Sequence, residues 1–251
     1  MDLNLTRKRV LISGSTKGIG LGIARGFLNE GAKVFINSRN ESDVNDILGD
    51  LNDNAYPVPG DVTKSDDLNR MKERVARDED GLDVLICNVG SGRSVAAGEE
   101  DDREWQRMME LNLFSSTKLI NTFLPLLERG HRPNIICISS ICGSRRLGAP
   151  TTYSVAKAAL NMFVKCQAPF LASKGIRINA ISPGNIIFPG SVWETKLNQQ
   201  RDEVESYLST QVALGRLGFP EEISDFACFL ASERAQFCTG SVYHVDGGQT
   251  N

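Results

Sequence analysis

Tyr153-Ser154-Val155-Ala156-Lys157 sets a phenol and an ammonium four residues apart, which on a helix puts both on one face. A free phenol titrates near about 10 and is a poor base at neutral pH, but an adjacent cation stabilises the phenolate and brings proton transfer into range. Alone, the same spacing is equally a partly buried ring beside a solvated charge. Its neighbours carry more weight: Ser139-Ser140 lies thirteen residues before Tyr153, and Asn88-Val89-Gly90 closes an earlier apolar run. If these runs are adjacent strands, their ends bring a hydroxyl, an amide, a phenol and an ammonium to one crevice.

A second cluster is Ser13-Gly14-Ser15-Thr16-Lys17-Gly18-Ile19-Gly20, which follows an apolar run and opens a helical pattern. Glycines there allow a tight turn and close approach to a pyrophosphate, and the free N–H groups of the helix start supply positive charge. Turns of this composition also arise for steric reasons alone. At the end of the next apolar run, Ile36-Asn37-Ser38-Arg39 has no carboxylate for a ribose 2′-hydroxyl, whereas Arg39 and Lys17 could pair with a 2′-phosphate. The expected cofactor is therefore NADP(H) rather than NAD(H), unless both cations are merely solvated surface groups.

Short apolar runs at Arg9–Ile12, Lys33–Ile36, Ala55–Val58, Val84–Cys87, Asn134–Ser139, Arg177–Ser182 and Ser241–Val245 predict seven strands. Helical spacing predicts helices over Gly18–Asn29, Asp66–Arg77, Glu104–Leu127, Tyr153–Ser173 and Pro220–Ala231. This alternation implies an α/β fold, a Rossmann-like doubly wound parallel sheet with helices on both faces, and one domain spanning 1–251. Pro183–Thr195 is the longest irregular stretch and a candidate substrate lid, which could extend over about 185–214.

Composition excludes several function classes. A net charge of −3 with 41% hydrophobic and 24% charged residues provides no basic field for nucleic acid and no polybasic membrane anchor. Neither a signal peptide nor an apolar run long enough to span a bilayer is present. The six cysteines form no CxxC pair and the two histidines have no ligand-like spacing, so no metal is expected, and the thiols read as small buried hydrophobes in a reducing cytoplasm.

Taken in order, these motifs resemble the short-chain dehydrogenase/reductase family, the single-domain subgroup of about 250 residues that includes 3-oxoacyl-carrier-protein reductases and glucose dehydrogenases. The resemblance runs nearly end to end. It takes in Gly14, Gly18 and Gly20, then Gly60-Asp61-Val62, then Cys87-Asn88-Val89-Gly90 where the family usually has Asn-Asn-Ala-Gly. Asn112, Ser140, the Tyr153/Lys157 pair, Pro183-Gly184 and Val245-Asp246-Gly247-Gly248 complete it. It implies hydride transfer between a nicotinamide and a small-molecule carbonyl or secondary alcohol. Tyr153 would be the acid in reduction and the base in oxidation, Ser140 would hold the substrate oxygen, and Lys157 would lower the Tyr153 pKa while binding the ribose. Asn112 would hold a water on a proton path. Asp61 and Val62 would contact adenine, Asn88 and Gly90 would lie along the cofactor, and Pro183, Gly184 and the backbone of Ile186 would meet the nicotinamide. A homotetramer or homodimer is also implied, built from the helices around Asn112 and Tyr153 and the strand near Tyr243.

The chain departs from the family pattern at Cys87, where only packing should change, and at Phe188, where a threonine often meets the nicotinamide amide. Phe188-Pro189-Gly190-Ser191-Val192-Trp193 reads as a rigid, aromatic-lined lid in place of a helical one. Ser91–Val95, Ile141–Ala149 and Ile187–Trp193 should line the pocket. Within them Arg93, Arg145 and Arg146 are either anchors for an anionic substrate or solvated cations, and Trp193 either stacks on a substrate ring or packs internally. Two rival readings remain. A non-catalytic NADP(H)-binding regulator would not need the proton-transfer set, and a sugar epimerase or dehydratase would ordinarily carry an additional substrate domain.

Overall fold

The computed structural model describes residues 2–250 and contains one sheet of seven parallel strands. β1 (Arg9–Ile12), β2 (Lys33–Ile36), β3 (Ala55–Pro57), β4 (Val84–Cys87), β5 (Asn134–Ile138), β6 (Arg177–Pro183) and β7 (Val242–Val245) lie in the order β3-β2-β1-β4-β5-β6-β7. The order reverses between β1 and β4. Beyond the carboxyl ends of those two strands lies the crevice where doubly wound sheets bind ligands.

The strands are continuous apolar runs because both faces are covered: β4 and β5 are buried throughout, and β1 and β2 beyond their first residue. One face carries α3 (Ser65–Asp78), α5 (Ser115–Leu127) and α6 (Thr151–Ala172). Their Leu68, Met71, Leu119, Phe123, Leu160 and Val164 pack on Leu11, Leu85 and Ile135. The other carries α1 (Gly18–Asn29) and α9 (Pro220–Ala231), whose Ile23, Phe27, Ile223 and Leu230 pack on Val10, Ile12 and Ile136. α1 and α9 approach so closely that a Cβ on Gly22 would lie 2.5 Å from Pro220 Cβ.

Three features differ from expectation. A short helix, α2 (Glu41–Leu48), occupies the connection between β2 and β3; Val44 is its one fully buried residue, with Ile47 and Leu48 partly buried beside it, so its apolar period is weak. The helix expected over Glu104–Leu127 is α4 (Asp102–Met109) and α5 joined by a wide π turn, Glu110–Phe114. The segment after β6 is helical from Val192 onward, as α7 (Val192–Gln199) and α8 (Arg201–Gln211), which corrects the expectation of a non-helical lid. The reason is a capping pattern. Ser191 Oγ accepts the Glu194 N–H at 3.0 Å while Glu194 reaches back to the Gly190 N–H at 2.6 Å. Trp193 stacks on Tyr207 with ring centres 5.4 Å apart, so it takes the internal packing role, in a small core with Leu197, Leu208 and Leu217.

Candidate active site

The glycine turn between β1 and α1 is held by side chains from the ends of β2 and β4. Gly14 and Gly18 have φ of 64° and 57°, and a Cβ on Gly20 would overlap the Gly14 carbonyl oxygen, so the turn closes only with glycine. Asn37 accepts the Gly14 N–H at 3.1 Å and donates to the carbonyls of Val58 and Gly60 at 2.9 and 3.0 Å. Ser15 Oγ accepts the Asn37 N–H at 2.9 Å, and Asn88 donates its amide to the Ser13 and Gly14 carbonyls, both at 3.0 Å. Asn88 thus binds the turn itself. Asn37 was visible in sequence only as one more polar residue at a strand end, and nothing in its spacing marked its role.

The residues present fit a pyrophosphate. Thr16 and the exposed Lys17 lead into α1, and the Lys17 cap offers no side-chain acceptor to the helix, leaving the N–H groups of Gly18, Ile19 and Gly20 at its positive end for an anion. Arg39 is exposed after β2, and Ser38 beside it donates to Asp43 at 3.2 Å. Asp61 accepts the Thr63 N–H and hydroxyl at 3.0 and 2.7 Å; burial works against its charge, but these bonds and the Lys64 and Arg39 charges hold its pKa below the usual value. Val62 is 2% exposed and packs into the core.

The proton-transfer set assembles beyond β4 and β5. Ser140, at the end of β5, hydrogen-bonds the Tyr153 hydroxyl and accepts the Cys142 N–H at 3.2 Å. Lys157, one helical turn after Tyr153 on α6, is buried and donates to the Ile138 carbonyl at 2.8 Å. The π turn delivers Asn112 to the same place. Its amide donates to the Met108 carbonyl at 3.1 Å and the Ser91 carbonyl at 3.2 Å, and its oxygen accepts the Ser91 N–H at 2.9 Å. Gly90 packs between Asn112 and Lys157: a Cβ there would lie 2.8 Å from Asn112 Oδ1 and 3.0 Å from Lys157 Nζ. Wide turns of this kind recur at functional sites, since the extra residue turns a side chain inward.

The titration of the pair differs from the simple expectation. Burial pushes the Tyr153 phenol up to about 12, only partly offset by the bond to Ser140. The Lys157 ammonium lies 5.9 Å from the centre of the tyrosine ring and points at Ile138, so desolvation of the phenolate outweighs its charge. Burial also lowers Lys157 to about 8. The chain by itself therefore keeps Tyr153 protonated at neutral pH, a state suited to donating a proton.

Pro183 ends β6 buried, Gly184 abuts Asp246, and Ile186 is buried in a bridge to Gly218. Phe188 lies on the glycine turn: a Cβ on Gly18 would meet its ring at 2.7 Å. Beside it a cavity of about 540 Å³ is lined by Thr16, Lys17, Phe188 and Phe219 among others. Arg93 spans the crevice to the Gly190 carbonyl at 3.4 Å, while Arg145 and Arg146 lie exposed after the Ile141–Gly143 turn. Among the described residues no group of three metal-ligating side chains occurs, all six cysteines are free, and no helix is long and apolar enough to cross a membrane.

Residues 14–250 match the model of a family described as enoyl-(acyl carrier protein) reductase. The chain is 32% identical to the 3-oxoacyl-(acyl-carrier-protein) reductase of Vibrio cholerae over 98% of both chains. It is 34% identical to the L-fucose dehydrogenase of Mus musculus, over 96% of this chain and 88% of that one. Among solved structures it resembles L-sorbose reductase from Gluconobacter frateurii complexed with NADPH and L-sorbose. That match has a TM-score of 0.93 at 32% identity and covers 100% of this chain and 99% of the other. A 7α-hydroxysteroid dehydrogenase complexed with NADH and 7-oxo glycochenodeoxycholic acid matches with a TM-score of 0.89 at 27% identity, over 99% and 96%.

Proposed function

The chain belongs to the short-chain dehydrogenase/reductase family of oxidoreductases, and from that premise we propose an NADP(H)-dependent enzyme that interconverts a carbonyl and a secondary alcohol on a small molecule. The observation that carries this reading is the packing of Asn112 and Lys157 around Gly90 together with the hydrogen bond of Ser140 to Tyr153 one helical turn from Lys157. A protein that only bound a dinucleotide would have no use for a buried proton donor there.

The nicotinamide, when bound, supplies or accepts the hydride. Ser140 orients the substrate oxygen and stabilises the charge that develops on it, and Tyr153, neutral at pH 7, delivers the proton to that oxygen in the reductive direction. Lys157 and Asn112 act behind it: the ammonium stabilises the phenolate left after transfer, and Asn112 fixes the loop that carries Ser91. Gly14 through Gly20 and the start of α1 would hold the pyrophosphate. Lys17, Ser38 and Arg39 would hold the 2′-phosphate, Asp61, Val62 and Asn88 the adenosine half, and Pro183, Gly184 and Ile186 the nicotinamide. The segment 185–214 would serve as the lid of one domain spanning 1–251.

Exposed apolar side chains, Phe114 of the π turn at 43% and Val155 and Met162 of α6 at 44% and 58%, support self-association through these elements. The fully exposed Phe237, close to Cys238 and β7, supports a second contact and hence a homotetramer. Six free thiols suit a reducing, cytoplasmic setting.

Fluorescence titration with NADPH and NADH tests the cofactor assignment. NADPH should bind at least about tenfold more tightly, and the gap should collapse in Arg39→Ala, which loses a charge-assisted phosphate contact. Tyr153→Phe should abolish ketone reduction while still binding NADPH. Equal affinity for the two nucleotides, or full turnover by Tyr153→Phe, would refute the respective assignment.

A further inference from the structure

The loop that passes over Tyr153 is held by hydrogen bonds at Ser91, Arg93 and Ser94. Ser91 is held by Asn112, and the Arg93 N–H donates to Ser91 Oγ at 3.1 Å. The Arg93 carbonyl accepts from Arg107 at 2.9 Å. Ser94 is tied to Glu104 and, at 2.8 Å, to the Thr152 hydroxyl, next in sequence to Tyr153. Gly92 lies against the tyrosine ring, its hypothetical Cβ 3.7 Å from Cε1. The backbone of Arg93 is thus held by hydrogen bonds next in sequence to Gly92, which packs on the Tyr153 ring.

The guanidinium is treated differently. Among the described residues its one hydrogen bond is to the Gly190 carbonyl at 3.4 Å, near the limit of such a bond. Among the described residues no carboxylate pairs with it. Glu104 is taken by Arg107 through two bonds of 2.7 and 2.6 Å, and Glu194 is turned to the Gly190 N–H. An exposed guanidinium carried on a hydrogen-bonded backbone, with Glu104 and Glu194 engaged elsewhere and only a weak neutral acceptor of its own, is available to an oxyanion. A carboxylate or phosphate can take two parallel N–H bonds from one guanidinium.

Building on the hydride-transfer reading, we propose that Arg93 is the specificity-determining residue for a substrate that carries a carboxylate or phosphate group beside its carbonyl. On binding, that anion replaces the Gly190 carbonyl as the partner of Arg93. The substrate thereby exchanges a bond between the loop and residue 190 for its own.

Two matched pairs of compounds test this: acetoacetate with methyl acetoacetate, and dihydroxyacetone phosphate with dihydroxyacetone. Binding is measured by NADPH fluorescence to NADPH-loaded Tyr153→Phe and to the Tyr153→Phe/Arg93→Ala double variant, so the readout does not require turnover. In at least one pair the anion should bind about tenfold more tightly than its neutral partner, and the double variant should reduce that ratio to within twofold, with Arg93→Lys intermediate. A preference confined to the phosphate pair or to the carboxylate pair supports the proposal and identifies the anion. Equal binding within both pairs, or a ratio unchanged by Arg93→Ala, overturns it. A purely structural bridge to residue 190 would weaken both members of a pair alike and leave the ratio intact. Wild-type turnover of the same four compounds is scored separately: its absence with either nucleotide would count against hydride transfer, while the binding ratio still decides the role of Arg93.

Discussion

Lys157 provides the sharpest test of the electrostatics, because its burial makes a signed prediction about stability. Its pKa falls from 10.5 to about 8 on folding. Between these values the unfolded chain binds more protons than the folded one, so the residue's contribution to stability rises with pH across that window. With about 1.36 kcal/mol per pKa unit, the full penalty for burying the ammonium at low pH is roughly 3 kcal/mol, and about 2 kcal/mol of it is regained between pH ~7.5 and ~9.5. Tyr153, raised to about 12 from 10.0, works in the opposite direction, but only above about pH 10. The perturbation is Lys157→Met, which keeps the apolar stem and cannot ionise. Urea unfolding of wild type and variant at fixed protein concentration gives the stability difference at each pH. The variant should be the more stable at pH ~7.5, and its advantage should shrink by about 2 kcal/mol by pH ~9.5. Groups that titrate alike in both proteins cancel in the difference. A pH-independent difference would mean that the ammonium is not desolvated, and the account of the site would fail.

Gly18→Ala should weaken NADPH binding by about tenfold or more with the fold intact by circular dichroism, since a positive φ costs a side chain about 1–2 kcal/mol and Phe188 leaves it 2.7 Å of room. Adding Phe188→Ala should recover only the part due to the ring, and unchanged affinity in the single variant would refute the packing argument. At the opposite end of the sheet, Asp83 accepts from the Arg9 side chain at 3.0 and 2.7 Å and from the His131 N–H at 2.7 Å. Asp83→Ala should cost about 3–5 kcal/mol in urea unfolding by leaving Arg9 half-buried and unpaired, with kcat/KM unchanged below the transition. A loss of activity matching the loss of stability would show that the two ends of the sheet are not independent.

Much of the frame was legible in the chain. Continuous apolar runs such as Val84–Cys87 read as strands because a parallel sheet buries both faces, and their alternation with helical periods leaves few topologies. The glycine turn, Ser140, Tyr153 and Lys157 were legible because each depends on a local requirement: a positive φ, a strand end, or a spacing of four on a helix. α7 could also have been found, since Ser191 and Glu194 have the spacing of a capping box. Less accessible was α2, which has a single buried anchor in Val44.

The alternation of runs and the local motifs, determined by the sequence itself, establish the doubly wound sheet and the identity of the chemical groups. Their environment was decided by the tertiary structure alone. The wide turn that delivers Asn112, the link Asn37 makes between the glycine turn and the carbonyls of Val58 and Gly60, the reach of Arg93 to Gly190 and the raised pKa of Tyr153 all depend on distances between segments far apart in the chain. Propensity and spacing act over a few residues, whereas desolvation and hydrogen-bond geometry depend on whatever the fold brings alongside, and no local pattern encodes that.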